Sequence, residues 1–290
     1  MCLFRSGFYT MIMERGFEKQ MRRCTCHKES RARPALGTVM KLTTVGLRQA
    51  CAARAQALAF ECADALEARL AVTTGDSELM RLWDAPVAKP IAVSDAVWQL
   101  MRVANELAFR TDGIFDAAAS GSDGQAHWTD IDLSKRGYVR FRRKMRFDPT
   151  GLVKGFAADI AVQAMSEQGA RRGLVDVGGV MRAFGPQEWR VQYHLANSKH
   201  PLPVALTDGA LAGGGSNSGR LFDPATGVMH AGQEWRDLRL IVRARTAAVA
   251  DGLTKVAMLA PGRAATLLPR LGASVAMLTN EGAHALEYAS

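Results

Sequence analysis

Residues 189–195, WRVQYHL, and 237–244, DLRLIVRA, carry an apolar side chain at every second position: Trp189, Val191, Tyr193 and Leu195 in one, Leu238, Leu240, Val242 and Ala244 in the other. In an extended chain successive side chains point to opposite faces, so this spacing demands strands with one buried and one wet face. Antiparallel sheets tolerate that asymmetry; parallel sheets, covered on both faces, do not. The strand signal recurs in ALGTVMKLTTV, which begins the ordered part of the chain, and in LVDVGG, a buried strand running into a glycine turn. Other segments have a helical period. Leu47, Cys51, Leu58, Cys62, Ala65 and Leu66 share one face of a helix from about Leu47 to Leu70. Ser94 starts a second helix, VWQLMRVANELAFR, which stops at Thr111-Asp112-Gly113, and Gly155 to Gln168 reads as another, ending at Gly169. The first two helices are expected to form one packing layer. Antiparallel sheets with helices packed on them make this an α+β chain. At 290 residues it can bury a full core, as one domain or as two intimately associated halves.

Charge narrows the function class only after it is mapped. The formal net charge is +9, but residues 1–33 hold eight Lys or Arg against three Glu, so +5 lies in the leading segment. That segment is expected to be a poorly ordered basic tail, with one domain over 34–290. A second basic run, SKRGYVRFRRKMRFD, has seven Lys or Arg between Lys135 and Arg146, interleaved with Val139, Phe141, Met145 and Phe147. It reads as a hairpin with an apolar inner face and a basic outer one: a solvated face, or an attraction for a nearby anion. A nucleic-acid binder would rest on these two features alone. No aromatic interleaving or DNA-binding motif supports it, and no nucleic-acid partner is expected.

Five cysteines are an odd count, which argues against a secreted disulfide scaffold. Cys51 and Cys62 lie eleven residues apart on one expected helix, about 16 Å, beyond disulfide reach. Cys24, Cys26 and His27 have no second ligand pair at zinc-like spacing. No apolar run approaches the roughly 18 residues that span a bilayer, and the opening MCLFRSGFYTMIMERGFEK lacks a signal-peptide core, so the chain as written reads as cytoplasmic.

Four places combine glycine with charged groups. They are TDGIFDAA, with Phe115 and Asp116 after a helix stop; FDPTGLVKGFAADIA, with Asp148, Gly151 and Lys154; DVGGVMRAFG, whose paired glycines let backbone amides approach an anion; and AVADGLTKVAM, where Asp251 is expected to open a helix with Thr254 one turn along the same face. Taken singly, Asp116 or Asp251 is as well explained as a helix cap, Lys154 as a surface lysine, and the Gly178-Gly179 pair as a turn. No Ser/His/Asp order, HExxH or Walker loop accompanies them.

Their order along the chain resembles one family. ARPALGT, DSELMRL, DGIFDAA, FDPTGLVKGFAADIA, GLVDVGGVMRAFG, GALAGGG, FDPATG and VADGLTKVAML match the landmarks of the ApbE family, the FAD:protein FMN transferases, over about Arg33 to Leu278. The resemblance implies a fold of two T-fold-like halves enclosing FAD. It implies magnesium-dependent transfer of FMN from FAD to a threonine hydroxyl of an acceptor flavoprotein subunit, with release of AMP. By the same resemblance Leu36, Ile114, Phe115, Asp116, Asp148 and Lys154 contact FAD, and Gly151, Asp251 and Thr254 lie at the Mg²⁺.

This chain departs from the family pattern at several positions. Gly213, Gly214 and Gly215 stand where TSG is usual, and Arg220 replaces the histidine ahead of DPxTG, a candidate base for the acceptor hydroxyl. No catalytic base is therefore assigned. Lys255 stands where most members have threonine, Asp176 and Val180 replace asparagine and aspartate around the double glycine, and Thr73 replaces a common stacking aromatic. These departures keep open a homologue that only binds FAD, or one that slowly hydrolyses it to FMN and AMP.

Overall fold

Most of the expected strands, Trp189–Tyr193 excepted, fall in one eight-stranded sheet. The computed structural model describes residues 27–73, 75–122, 125–193, 202–215, 220–231, 239–279 and 282–285. The sheet comprises β1 (Lys28–Ala35), β2 (Thr38–Val45), β3 (Gly173–Val177), β4 (Val180–Phe184), β5 (Ala210–Gly215), β6 (Arg239–Ala244), β7 (Ser274–Thr279) and β8 (Gly282–Ala285). These strands lie side by side in chain order, and every neighbouring pair is antiparallel. Two-residue turns join β1 to β2 and β3 to β4. Both central residues have positive φ, Leu36 (53°) and Gly37 (69°) in one, Gly178 (58°) and Gly179 (89°) in the other, as the twist of a tight hairpin requires. Leu36 has no glycine's freedom there; its N–H donates to Glu67 Oε2 at 2.8 Å, which helps hold the turn.

Seven α-helices accompany the sheet among the described residues: α1 (Gln49–Leu70), α2 (Glu78–Trp83), α3 (Asp95–Arg110), α4 (Ala117–Ser120), α5 (Val153–Glu167), α6 (Ala247–Leu259) and α7 (Pro261–Arg270). Helix α1 packs on α5, and α5 on α6. Their facing surfaces are small, with Ala52, Ala55, Ala59 and Ala63 buried on α1 and Ala157, Ala158, Ala161 and Ala164 on α5. Small side chains let neighbouring axes approach closely. Strand β4 shows the sheet's two faces. Val180 and Phe184 join the main core under the helices, whereas Met181 and Ala183 join a second cluster with Trp189, Val191 and Leu206. The latter three come from a ribbon of Trp189–Tyr193 paired with Leu202–Leu206.

Antiparallel sheet and helices thus bear out the α+β expectation, with local corrections. Helix α3 starts as expected, Ser94 accepting from the Val97 N–H, but it flanks α6, and α5 rather than α3 is the main partner of α1. A helical period reports that a face is buried; it does not name the partner. The basic run does not fold back on itself. Only Tyr138–Phe141 is a strand, pairing with Ile91–Ala92 on one side and Ile131–Asp132 on the other. Its apolar residues are buried as expected. Its cations include Arg136, paired with Asp95 at 2.6 Å, Arg143, paired with Asp130 at 3.1 Å, and Arg140, paired with Asp132. The boundary expected at residue 33 falls inside β1, because KESRARPA is an exposed edge strand with almost no apolar alternation to betray it. Residues 1–26, including Cys24 and Cys26, and Leu195 and Leu238 of the alternating runs, lie outside the described residues. Among the described residues no helix is long and apolar enough to cross a membrane.

One contact sets the spacing of α5 and α6. A Cβ on Gly155 would lie 2.2 Å from the Ala247 carbonyl oxygen and 2.7 Å from Ala248 Cα, so only glycine allows the two backbones to meet. One turn further along α5, Asp159 accepts from the Ala247 and Ala248 N–H groups at 2.9 Å each, capping the start of α6. Gly155→Ala should therefore lower stability by about 2–3 kcal/mol or more in urea unfolding, because backbone rather than a flexible side chain must yield. Gly262→Ala, where no neighbour lies within 4 Å, should leave the midpoint unchanged or raise it.

Candidate functional site

The Gly155 contact brings the first turn of α5 against the first two turns of α6. Asp251 projects from α6 into this junction, where its Oδ2 accepts the Gly155 N–H at 3.1 Å. The helix begins at Ala247, so Asp251 does not open it as the sequence suggested; Asp159 does the capping. Only 3% of Asp251 is exposed, and an unpaired carboxylate there would be costly. Its counter-charge is Lys255, one turn on, whose Nζ lies 2.5 Å from Asp251 Oδ1 and 3.0 Å from the Asp251 carbonyl oxygen.

The remaining acidic residues are tied to local turns. Asp116 caps α4: its Oδ1 accepts from Ala118 N at 2.8 Å and Ala119 N at 3.2 Å, and its Oδ2 from Trp128 N at 3.0 Å. Burial pushes its carboxyl above the ordinary range, and the three N–H donors pull it partly back. Asp148 caps the 3-10 turn Pro149–Gly151 through the Thr150 N–H at 2.9 Å, and its Oδ2 accepts from Ser120 at 3.0 Å, fixing that turn to α4. Gly151 closes against Phe115; a Cβ there would come 2.9 Å from Phe115 Cε2.

These elements surround one cavity of about 590 Å³, within the roughly 300–1,000 Å³ usual for small-ligand sites. Ile114, Phe115, Asp116, Asp148, Gly151, Lys154 and Asp251 all line it. Gly178, Gly179, the Gly213–Gly215 stretch and Arg220 form other parts of its wall. Two expected residues are not on this wall. Leu36 is committed to the β1–β2 turn, and Thr254 is 1% exposed, its hydroxyl donating to the Asp251 carbonyl at 2.6 Å. One position along, Lys255 faces the cavity instead, because a step of about 100° around a helix separates buried from open.

Sequence reasoning did not single out Asp159 or Tyr193. Asp159 was visible as a lone acid in the apolar run GFAADIA, four residues after Gly155. Tyr193 was read only as a strand-face residue. Its ring lines the cavity, and its buried hydroxyl has no hydrogen-bond partner among the described residues. Burial pushes that hydroxyl's pKa up, with the charge of nearby Asp176 adding to the effect.

The expected Mg²⁺ takes six oxygens at about 2.0–2.1 Å. Here one Asp251 oxygen accepts from a backbone N–H, the other from an ammonium, and the Thr254 hydroxyl is turned into its own helix. No group of three or more His, Cys, Asp or Glu among the described residues forms a metal site. As arranged, these residues do not fit a divalent ion beside Asp251.

The ApbE family model matches residues 36–122 and 122–278. The chain belongs to the ApbE family. Among curated ApbE-type relatives, the FAD:protein FMN transferase of Klebsiella pneumoniae (strain 342) is 25% identical, over 85% of this chain and 83% of its own. The protein of the same name from Escherichia coli (strain K12) is 26% identical, over 76% and 75%. Among solved structures, the flavin transferase ApbE from Vibrio cholerae superposes with a TM-score of 0.73 at 18% identity, covering 91% of this chain and 97% of that one. The ApbE protein from Thermotoga maritima gives 0.72 at 18% identity, covering 88% and 96%. These structural likenesses establish a shared ApbE fold.

The raised Asp116 carboxyl has a signed consequence. Its proton is held more tightly in the folded than in the unfolded chain, so its contribution to stability is full below the ordinary value of 3.8 and declines as pH rises through the raised folded value. Asp116→Asn should thus gain stability relative to the parent as pH goes from about 4 to about 7 in thermal melts. A relative loss over that range would contradict the assignment.

Proposed function

We propose that this chain transfers the FMN part of FAD to a hydroxyl of an acceptor protein, a threonine of a flavoprotein subunit, and releases AMP. The observation that carries the proposal is the meeting of α5, α6 and the Asp148–Gly151 turn around one cavity that holds both a buried carboxylate and several cations. The names of the curated relatives support the chemistry; the residues suit it physically. In such a transfer the acceptor oxygen bonds to the phosphorus of the FMN half, the bridging bond to the AMP half breaks, the hydroxyl proton leaves to a base, and AMP departs. Little covalent work falls to the protein. It must hold the diphosphate, offset the charge moving onto the leaving oxygen, and align the incoming hydroxyl.

Lys154, from the first turn of α5, lines the cavity as a fixed positive charge for that purpose, and Lys255, from α6, lines it while offsetting the charge of Asp251. The glycines at 178–179 and 213–215 keep side chains out of its wall, leaving backbone open to a flat ring system or a phosphate. Phe115 and Tyr193 offer aromatic surface. A divalent ion, which the family resemblance implies, is assigned no step here, since the surroundings of Asp251 do not accommodate it. The base is unassigned too: Arg220, at the position of the family's histidine, lies on the cavity wall, and a guanidinium offers donors but no acceptor for the hydroxyl proton.

Arg220 also favours one second reading, in which water replaces the acceptor hydroxyl and FAD is hydrolysed to FMN and AMP. One experiment separates the two. Incubation of the purified chain with FAD and a flavoprotein acceptor domain should give a fluorescent band that persists on a denaturing gel, with AMP released in equal amount. Lys154→Ala should reduce the labelling rate about tenfold or more, the scale of losing one charge-assisted contact to the diphosphate. FMN and AMP without a labelled band would point to hydrolysis, and intact FAD to binding alone. If a proven transferase labels the acceptor and this chain does not, the proposal is wrong.

A further inference from the structure

We propose that the Lys255 ammonium is the resident cation of this site, so that the chain binds its anionic ligand without a divalent ion. Three observations lead there. First, Lys255 Nζ is chelated by one residue, contacting both Asp251 Oδ1 and the Asp251 carbonyl oxygen. A side chain four residues on along a helix reaches both oxygens with little strain. Second, the other carboxylate oxygen takes the Gly155 N–H, so every oxygen of Asp251 already has a donor. Third, the lysine stem crosses towards the neighbouring turn: a Cβ on Gly151 would lie 3.9 Å from Lys255 Cε. The stem therefore passes beside the Pro149–Gly151 turn on the cavity wall, with 18% of the side chain exposed.

A second cation brought to the same oxygens would face like-charge repulsion at contact distance and would first have to displace the ammonium. Conversely, a tethered ammonium needs no recruitment from solution. It is already desolvated on one side by Asp251 and presents its remaining donor capacity to the cavity. Neutralising Asp251 is the other half of the device. Without Lys255 the buried carboxylate would repel a diphosphate; with it, the pair is close to neutral, and the cavity field comes from the other charged groups on the wall, Lys154, Arg220 and Arg239 set against Asp116 and Asp148.

Replacing Lys255 by threonine converts the cation into an oxygen donor one turn after Asp251 and should open a metal site. The role in flavin binding rests on the function proposed above; the placement of the cation does not. Two measurements on the full chain separate these. In flavin fluorescence titrations, the parent should bind FAD equally, within about twofold, in excess EDTA and in millimolar Mg²⁺, while Lys255→Thr should bind at least about tenfold more weakly in EDTA and recover with Mg²⁺. Lys255→Arg, which keeps the charge, should remain insensitive to EDTA. In Mn²⁺ titrations followed by electron paramagnetic resonance, without flavin, the parent should take up no ion that depends on Asp251. Lys255→Thr should bind one, lost again in the Lys255→Thr, Asp251→Ala double variant. Parent FAD binding that falls tenfold or more in EDTA and returns with Mg²⁺ would overturn the inference, as would parent Mn²⁺ binding abolished by Asp251→Ala. Absence of FAD binding in both media would sink the flavin reading, and the Mn²⁺ result would still decide whether Lys255 occupies the cation position. Because the first test is made on the unaltered chain, a variant that fails to fold leaves it intact.

Discussion

The backbone of α5 touches the backbone of α6 at Gly155, and the site is built outward from that contact. Where two helices meet without an intervening side chain, polar groups of one can reach the main chain of the other. Gly155 donates its N–H to Asp251, and Asp159, one turn on, accepts two N–H groups from the start of α6. The exchange satisfies backbone donors that a buried helix start would otherwise leave unpaired. It also fixes the rotation of α6 about its axis, which decides that Lys255 faces the cavity and Thr254 does not.

The cavity inherits its chemistry from this junction. The Asp148–Gly151 turn feeds directly into α5, so the position of α5 positions the turn, and the hydrogen bond from Ser120 to Asp148 carries the constraint to α4 and Phe115. The glycine hairpin between β3 and β4 and the glycine-rich β5 supply walls without side chains. A site assembled this way is held mainly by helices and sheet strands, the more exact kind of support for a group that must align a reacting oxygen.

Much of this was legible in the chain, for local reasons. Alternation identified Trp189–Tyr193 and the strand around Leu240, the small-residue helix expected over 155–168 runs over 153–167, and seven of the nine expected site residues reach one wall because their segments carry closely spaced landmarks. Other features have no local signature. The Leu36 N–H is bound across the fold to Glu67 and the Thr254 hydroxyl within its own helix turn, and β1 has no sequence signature because an edge strand with two wet faces has no apolar period. The basic run was read as its own hairpin because alternation reveals a strand without naming its neighbours.

What the sequence by itself determined is the class of fold and the cast of the site: periods of two and near four residues follow from backbone geometry, and glycine, lysine and aspartate in fixed order carry the family's landmarks. What only the tertiary structure decided is who meets whom. Whether Asp251 offers its oxygens to a metal or to Lys255 depends on the rotation of one helix and the approach of another, set by packing between residues about a hundred positions apart, and no local pattern encodes a distance of that kind.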